Sequence, residues 1–192
     1  MRVGLFFGTF NPVHQGHLII GNHLVENTDL DQVWFVVTPH NPHKKKSTLL
    51  DDYQRLEMVH RALESYPKLR PNDIEFKMAQ PNYTVQTLLT LEEKYPEHEF
   101  SLIMGEDNLV SFHKWKNYTY ILEHHHIYVY PRLTNSKGEP AIVQHPNIKM
   151  TAAPMVNISA TFIRDQIKSG KSVRALMPAE AWQYLDEMNF YK

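Results

Sequence analysis

Short apolar runs alternate with amphipathic stretches through the first 130 residues of the chain. Three of these runs, 3–7 (VGLFF), 31–39 (DQVWFVVTP) and 99–105 (EFSLIMG), are rich in β-branched, aromatic and other apolar residues and end at glycine or proline. Such runs are typical of buried β-strands. We expect two further short strands, at 72–78 (NDIEFKM) and at 125–131 (HHIYVYP).

Between these runs, apolar residues recur at a spacing of three and four, which predicts helices. The helices are expected within 16–27, 51–67, 83–96, 108–118, 160–173 and 178–191. Gly170 is a predicted helix stop, and Pro178 is a predicted helix start. The predicted inward-facing residues are Leu18, Ile19, Asn22 and Val25, then Leu56, Val59 and Leu63, then Leu88, Leu89 and Leu91, then Phe162, Ile163 and Ile167, and finally Ala181 and Leu185.

The alternation of strands and helices predicts an α/β fold with a Rossmann-like, doubly wound parallel sheet. We expect a single domain over residues 1–192, in which 157–192 forms a small C-terminal helical part. Prolines in 133–156 predict loops there, with room for one edge strand. In such a sheet, ligands bind at the carboxyl ends of the strands, near the point where strand order reverses. Polar signatures follow four predicted strands, at 8–17, 38–44, 82–84 and 105–115.

Composition narrows the class of protein. Hydrophobic residues make up 42% of the chain and charged residues 21%, which is typical of a globular protein and not of a disordered one. The formal charge of −1 provides no basic field for nucleic acid, so any anion site must be local. Cysteine is absent, which excludes disulfides, thiolate metal sites and a cysteine nucleophile. No apolar run is long enough for a signal peptide or a membrane span, so we expect a cytoplasmic protein. Whether the protein forms a homo-oligomer stays open.

The stretch GTFNPVHQGH, residues 8–17, follows the first predicted strand directly. Gly8 lets the backbone turn closely, so that Thr9 and Phe10 can present their N–H groups. The helix that begins near His14 adds exposed N–H groups and the positive end of its dipole. This combination predicts a phosphate site between a strand and a helix.

Two histidines lie three residues apart in the same stretch. On the first helical turn, His14 and His17 share one face and can donate to the same oxygens. Gly16 leaves room for an anion against the backbone. From these residues alone, a tight turn with surface histidines and a weak zinc site without a nearby third ligand stay open. The loop lacks both Gly-x-Gly-x-x-Gly and Gly-x-x-x-x-Gly-Lys, which counts against a dinucleotide motif and a P-loop.

A second motif stands near the other end of the chain, in ISATFIR, with Ser159, Thr161 and Arg164. GTFNPVHQGH resembles the signature loop of the HxGH nucleotidyltransferase superfamily. ISATFIR is similar to the second signature of that superfamily, Ser-x-Thr-x-x-Arg. Two independent motifs in the expected order make a chance resemblance very improbable.

Within that superfamily, the chain resembles the bacterial nicotinate-nucleotide adenylyltransferases over nearly its whole length. The resemblance is carried by TPHNPHK, NYTVQTL, IMGEDNLVSFHKWKNY and VRALMPAEAWQYLDEMNFY. Asn11 stands where many members of the family have aspartate, and Ala160 stands where serine is common.

The resemblance implies that AMP is transferred from ATP to nicotinate mononucleotide, which gives deamido-NAD and pyrophosphate in NAD biosynthesis. The implied catalytic residues are His14, His17, Arg164 and Lys44. Mg²⁺ is expected to be held mainly by the phosphates of ATP, so no protein metal ligand is predicted. The implied ATP-binding residues are Gly8, Thr9, Phe10, His14, His17, Gly105, Asp107, Ser159, Thr161 and Arg164, with 157–192 completing this site. The residues implied to bind the mononucleotide are Tyr83, Thr84, Trp115 and Lys44.

Alternatives remain at this point. The acceptor could be nicotinamide mononucleotide or another phosphate, or the protein could be a catalytically silent nucleotide-binding regulator. The intact histidine pair argues against the regulator. Trp115 can pack in the core instead of stacking on a pyridine ring, and Asp107 can cap a helix instead of holding a ribose.

Arg55 and a run of three histidines are interpreted separately from the nucleotide site. Arg55 is expected on a helix surface, where it reaches a phosphate or pairs with Asp51 or Asp52. The run 124–126 consists of three histidines. Because consecutive side chains in an extended segment point to alternate faces, these predict a polar edge before the fifth strand more than a metal site.

Overall fold

The computed structural model of the chain describes residues 1–39, 49–133 and 141–192. Its six strands form one parallel sheet in the order β3-β2-β1-β4-β5-β6. This is the predicted α/β, Rossmann-like sheet. Strand order reverses between β1 and β4, so a crevice opens at the carboxyl ends of these two strands. The strands are β1 (Arg2–Gly8), β2 (Gln32–Val37), β3 (Leu69–Asn72), β4 (Glu99–Gly105), β5 (Ile127–Tyr130) and β6 (Ile148–Met150).

Helices cover both faces of the sheet. They are α1 (Gln15–Asn27), α2 (Asp52–Leu63), α3 (Thr84–Lys94), α4 (Glu106–Ser111), α5 (Tyr118–His124), α6 (Ala160–Lys168) and α7 (Ala179–Glu187). Short 3₁₀ turns lie at Ile74–Lys77, Phe112–Lys114, Ala141–Gln144 and Arg174–Leu176. Within the described part of the chain, no helix is long and apolar enough to cross a membrane.

Local sequence signals place several helix ends. The Asp51 side chain caps α2 by accepting a hydrogen bond from the Tyr53 N–H at 2.9 Å. Ser159 caps α6 in the same way, since its Oγ accepts from the Phe162 N–H at 3.2 Å. Past the end of α6, Gly170 has a φ of +68°, a left-handed conformation that glycine adopts without strain. The predicted stop at Gly170 is therefore confirmed.

Two hydrophobic cores result from the alternation of side chains along the strands. On β1, Phe6 points to the core under α1, α2, α6 and α7. Its neighbour Leu5 points to the core under α3, α4 and α5. Ile163 and Leu185, from the C-terminal helices, lie in the same core as α1 and α2. The C-terminal segment is thus packed against the face of the sheet that carries α1.

The predicted strand at 72–78 is wrong in position. The third strand lies at Leu69–Asn72, where it pairs with β2, and 74–77 forms a 3₁₀ turn. The Asn72 side chain accepts a hydrogen bond from the Ile74 N–H at 2.9 Å, which turns the chain at that point. The predicted edge strand in 133–156 is confirmed as β6.

Four predicted inward-facing residues are instead solvent-facing: Ile19 is 39% exposed, Leu89 46% and Phe162 51%, and Asn22 is also exposed. On the same helices the predicted residues Leu18, Leu88 and Ile163 are buried, so each buried face is narrower than predicted. On α1 the buried residues are Gly16, Leu18, Ile20, Gly21, Leu24 and Val25. Consecutive apolar residues leave the phase of a helix ambiguous, and packing against the sheet resolves it.

Candidate active site

A cleft of about 260 Å³ opens at the carboxyl ends of β1 and β5. It lies beside the reversal of strand order, where an open α/β sheet binds its ligands. Its lining combines a glycine-containing loop, two imidazoles, an arginine and the start of α6. The lining residues are Phe6, Phe7, Gly8, Thr9, Phe10, Asn11, His14, Gly16, His17, Ile20, Asn108, Tyr130, Pro131, Arg132, Val156, Ile158, Ser159 and Ala160.

A buried aromatic side chain of the β1–α1 loop anchors this loop in the core. Phe10 has a φ of 45°, which is uncommon for a residue with a side chain, and its ring is 2% exposed. The ring packs edge-to-face on Phe6, with centroids 6.1 Å apart. A Cβ at Gly8 would lie 3.0 Å from the Phe10 ring, so a side chain at this position would require the buried ring to shift.

The two histidines stack on each other. Their ring centroids are 3.7 Å apart, and the backbone N–H of His14 donates to Nδ1 of His17 at 3.2 Å. This bond assigns the proton of the neutral His17 ring to Nε2. Gly16 lines the cleft, as predicted, and a Cβ there would come within 3.1 Å of the His14 ring. Gly16 therefore makes room for the His14 ring, and its predicted role beside an anion stays a prediction.

Both imidazoles are neutral at neutral pH. Burial, together with the positive charge of Arg132, lowers the pKa of His14 from 6.5 to about 4. Burial also holds the pKa of His17 well below its ordinary value, with smaller contributions from His14 and Arg132. A neutral imidazole has one N–H to donate, so the pair offers hydrogen-bond donors at neutral pH.

The two sequence motifs meet at this cleft. Arg164 donates from Nη1 to the carbonyl oxygen of Asn11 at 2.7 Å and from Nη2 to Oγ1 of Thr161 at 3.2 Å. Ser159, the N-terminal cap of α6, lines the same cleft as the histidines. The structure thus brings the motif residues of both chain ends together, although Thr161 and Arg164 stand just behind the lining.

Arg132 is a site residue that the sequence analysis missed. It lies directly after β5, lines the cleft and donates from Nη1 to Oδ2 of Asp107 at 3.2 Å. A Cβ on Gly105 would come within 2.5 Å of Oδ1 of Asp107 and 2.7 Å of Cδ of Arg132. Gly105 therefore makes space for this ion pair. The rule that polar residues collect after strand ends, applied to the fifth strand, would have found Arg132.

Of the residues predicted for the mononucleotide, Tyr83, Thr84 and Trp115 do not line this cleft. Thr84 is the first residue of α3, and Tyr83 is its N-terminal cap. Trp115 is half-buried, and its ring lies edge-to-face on Phe112 with centroids 5.5 Å apart. This contact agrees with the interpretation that Trp115 packs in the core. Lys44 lies outside the described residues.

Arg55 differs from its predicted surface position. Its side chain is fully buried. Of the predicted partners, Asp52 is the one with which it forms an ion pair, at 2.5 Å. The remaining guanidinium donors reach the carbonyl oxygens of Thr9 at 2.5 Å, Thr38 at 2.9 Å and Leu50 at 3.1 Å. Arg55 therefore ties the β1–α1 loop to the ends of neighbouring segments, because a buried charge needs such partners.

The three consecutive histidines have three different surroundings. His125 is buried, with its Nδ1 3.0 Å from the carbonyl oxygen of Phe100. His124 stacks on Tyr120 at the end of α5, and His126 is exposed. This divergence agrees with the predicted alternation of their side chains. Over residues 1–39, 49–133 and 141–192, no group of three or more His, Cys, Asp or Glu is placed to hold a metal ion.

Comparisons with known proteins concern the family and the fold of the chain. A family model described as cytidylyltransferase-like matches residues 5–166. A probable nicotinate-nucleotide adenylyltransferase from Flavobacterium psychrophilum is 62% identical over 192 residues, which is 100% of both chains. One of the same description from Flavobacterium johnsoniae is 61% identical, again over 100% of both chains. The solved structure of a Plasmodium falciparum nicotinic acid mononucleotide adenylyltransferase complexed with NaAD superposes with a TM-score of 0.80 at 15% identity, covering 99% of this chain and 97% of that one. At that identity, the superposition supports the fold alone.

Proposed function

The chain belongs to the cytidylyltransferase-like family and, within it, to the nicotinate-nucleotide adenylyltransferases, and from this premise we propose how its cleft works. The reaction transfers AMP from ATP to nicotinate mononucleotide and gives deamido-NAD and pyrophosphate. The observation that carries the proposal is the meeting of the histidine pair with the start of α6 in one cleft.

The chemistry is an in-line displacement at the α-phosphorus of ATP. An oxygen of the mononucleotide phosphate forms the new bond to phosphorus, and the bond to the α–β bridging oxygen breaks. The electron pair of that bond leaves with pyrophosphate. Because the attacking phosphate is already ionised at neutral pH, no general base is needed, and catalysis consists of positioning and charge stabilisation.

The histidines act as preorganised donors. A neutral imidazole N–H aimed at an α-phosphate oxygen strengthens its hydrogen bond as negative charge develops there. The backbone N–H of His14 donates to Nδ1 of His17 and holds the ring in place for this role. The backbone N–H groups of Gly8, Thr9 and Phe10 add donors at the same end of the cleft.

The outer phosphates lie towards α6. Ser159, Thr161 and Arg164 stand at or near the N-terminus of this helix, where the dipole and the guanidinium favour the β- and γ-phosphates. Segment 157–192 thereby completes the ATP site within one domain. Lys44 supplies a further positive charge in this proposal.

Arg132 lines the cleft and pairs with Asp107 beside it. Their ion pair is exposed, so it contributes little to stability and exchanges readily for a phosphate. We assign Arg132 to the transferred phosphate, and Gly105 and Asp107 to the nucleoside edge beside it.

The acceptor lies towards α3. The N-terminus of α3, at Tyr83 and Thr84, favours an anionic nicotinate over a neutral nicotinamide. Trp115, which is partly buried beside Phe112, is assigned to stack on the pyridine ring. Beneath α3, buried Glu75 accepts a hydrogen bond from Oγ1 of Thr87 at 2.8 Å and fixes the helix in place.

Mg²⁺ enters with ATP. The donors at the cleft are imidazoles, a guanidinium and backbone amides, which suit phosphate oxygens better than a bare cation. Asp107, the carboxylate beside the cleft, is engaged by Arg132. The ion is therefore held by phosphates and water as part of the Mg–ATP substrate.

A cytoplasmic location stays a prediction.

The experiment that tests the proposal compares acceptors at fixed Mg–ATP. Pyrophosphate release is measured with nicotinate mononucleotide, nicotinamide mononucleotide and pantetheine phosphate. The proposal predicts the highest kcat/KM with the nicotinate compound. A preference for either of the other two would assign a different acceptor, and ATP binding without turnover would indicate a silent regulator.

A further inference from the structure

The C-terminal residues of the chain return to the β1–α1 loop. The Tyr191 hydroxyl donates to Oδ1 of Asn11 at 2.5 Å, across 180 positions in sequence. Asn11 lines the cleft, whereas Tyr191 stands behind it. A residue at the very end of the chain thus contacts the loop that carries the catalytic histidines.

The backbone that presents Tyr191 is strained. Asn189 and Tyr191 have φ values of 54° and 64°, in the left-handed region, which asparagine adopts readily and tyrosine avoids. Between them, Phe190 is buried and packs edge-to-face on Tyr184, with centroids 5.5 Å apart. The turn therefore directs Phe190 into the core and Tyr191 towards Asn11, and strain of this kind persists where surrounding contacts outweigh it.

Asn11 connects this tail to two other parts of the site. Its Oδ1 also accepts a hydrogen bond from the Leu50 N–H at 3.2 Å, just before the cap of α2. Its carbonyl oxygen accepts from Nη1 of Arg164 at 2.7 Å. The position of the Asn11 side chain is thus linked, through one residue, to the guanidinium assigned to the outer phosphates.

The backbone of the loop has other supports. Arg55 holds the carbonyl of Thr9, and the buried Phe10 ring fixes the turn. Loss of the Tyr191 hydroxyl therefore leaves the loop folded but weakens the hold on Asn11. Burial raises the pKa of Tyr191 well above its ordinary value, so the hydroxyl keeps its proton and acts as a donor.

We propose that Tyr191 is a positioning residue for ATP, which acts through Asn11 to align Arg164 and the β1–α1 loop. This inference rests on the proposed function, because it concerns the same cleft. It adds a role for the C-terminal end of the chain that the two motifs do not contain.

The test substitutes the hydroxyl alone, in Tyr191→Phe, with Tyr53→Phe as the matched control because Tyr53 is 65% exposed. We measure kcat, both KM values and the melting temperature. The expected result is a fall in kcat/KM for ATP of about fivefold, with the KM for the mononucleotide unchanged, since one neutral hydrogen bond is lost. The control is expected to match the parent protein. Unchanged kinetics for ATP, with or without a lower melting temperature, would reduce Tyr191 to a structural role.

A double-mutant cycle with Asn11→Ala tests the route of the effect. If Tyr191 acts through Asn11, Tyr191→Phe causes no further loss in the Asn11→Ala background. Additive losses would overturn the proposal. The affinity for a non-hydrolysable ATP analogue, measured by calorimetry on all four proteins, separates this outcome from a failure of the proposed function. Even if the parent protein does not turn over nicotinate mononucleotide, a coupled loss of analogue affinity supports the role of Tyr191, and an unchanged affinity refutes it.

Discussion

The buried histidine pair makes the stability of the protein depend on pH in a predictable direction. In the native protein the pKa of His14 is about 4, and in the unfolded chain it is the ordinary 6.5. The unfolded state therefore binds more protons between these values, so the free energy of unfolding falls as the pH falls below 6.5. For His14 alone, the loss between neutral pH and about pH 5 is about 2 kcal/mol. His17 contributes in the same direction, because its pKa is also lowered.

The assay is chemical denaturation near neutral pH and near pH 5, for the parent protein and for His14→Gln. Glutamine cannot be protonated, so the variant should lose about 2 kcal/mol less than the parent over this interval. The exposed His60→Gln serves as the control and should keep the pH dependence of the parent. Equal pH dependence in the parent and in His14→Gln would refute the argument that burial keeps His14 neutral.

Further predictions concern turnover. His17→Ala should lower kcat by a factor on the order of 10²–10³ with a modest change in KM, as for the loss of a transition-state donor, and pyrophosphate release measures this. An unchanged kcat would remove His17 from the mechanism. Trp115→Ala should raise the KM for the mononucleotide and leave the affinity for ATP little altered, which titration calorimetry checks; an equal loss for ATP would indicate a folding defect instead. Arg132→Gln should lower kcat/KM for ATP by about tenfold with little change in melting temperature, because the exposed pair with Asp107 contributes little to stability. A lowered melting temperature at unchanged kinetics would contradict the role given to Arg132.

Much of the fold was predictable because its signals are local. The strands β1, β2 and β4 are continuous apolar runs with clear ends, and their predicted bounds agree with the structure to within a residue or two. β3 was misplaced because its short sequence, Leu69–Asn72, includes Pro71 and an exposed arginine. Strand pairing with β2, a non-local interaction, decides its position.

The candidate site divides in the same way. Gly8, His14, His17 and Ser159 belong to motifs whose local spacing is informative, and the structure places them around one cleft. The Asp107–Arg132 pair joins residues from different strand ends, so no spacing in the sequence indicates it. Arg55 was assigned to the surface because charged residues on amphipathic helices usually lie there. Its backbone partners are distant in sequence: Thr9 lies in the β1–α1 loop, and Thr38 and Leu50 lie between β2 and α2.

The same limit applies to the end of the chain. Nothing in the local sequence of NFYK indicates that Tyr191 reaches Asn11, because the contact depends on α7 packing against α2 and on a strained turn beyond it. Only the folded chain brings these residues together.

The central claim is tested most directly by product analysis. The protein is incubated with Mg–ATP and nicotinate mononucleotide, and the products are identified by mass spectrometry alongside a pyrophosphate assay. The account predicts deamido-NAD and pyrophosphate in equal amounts, and for His17→Ala the same two products formed at a rate lower by a factor on the order of 10²–10³. Formation of ADP or AMP without deamido-NAD, or no reaction in the parent protein, would contradict it.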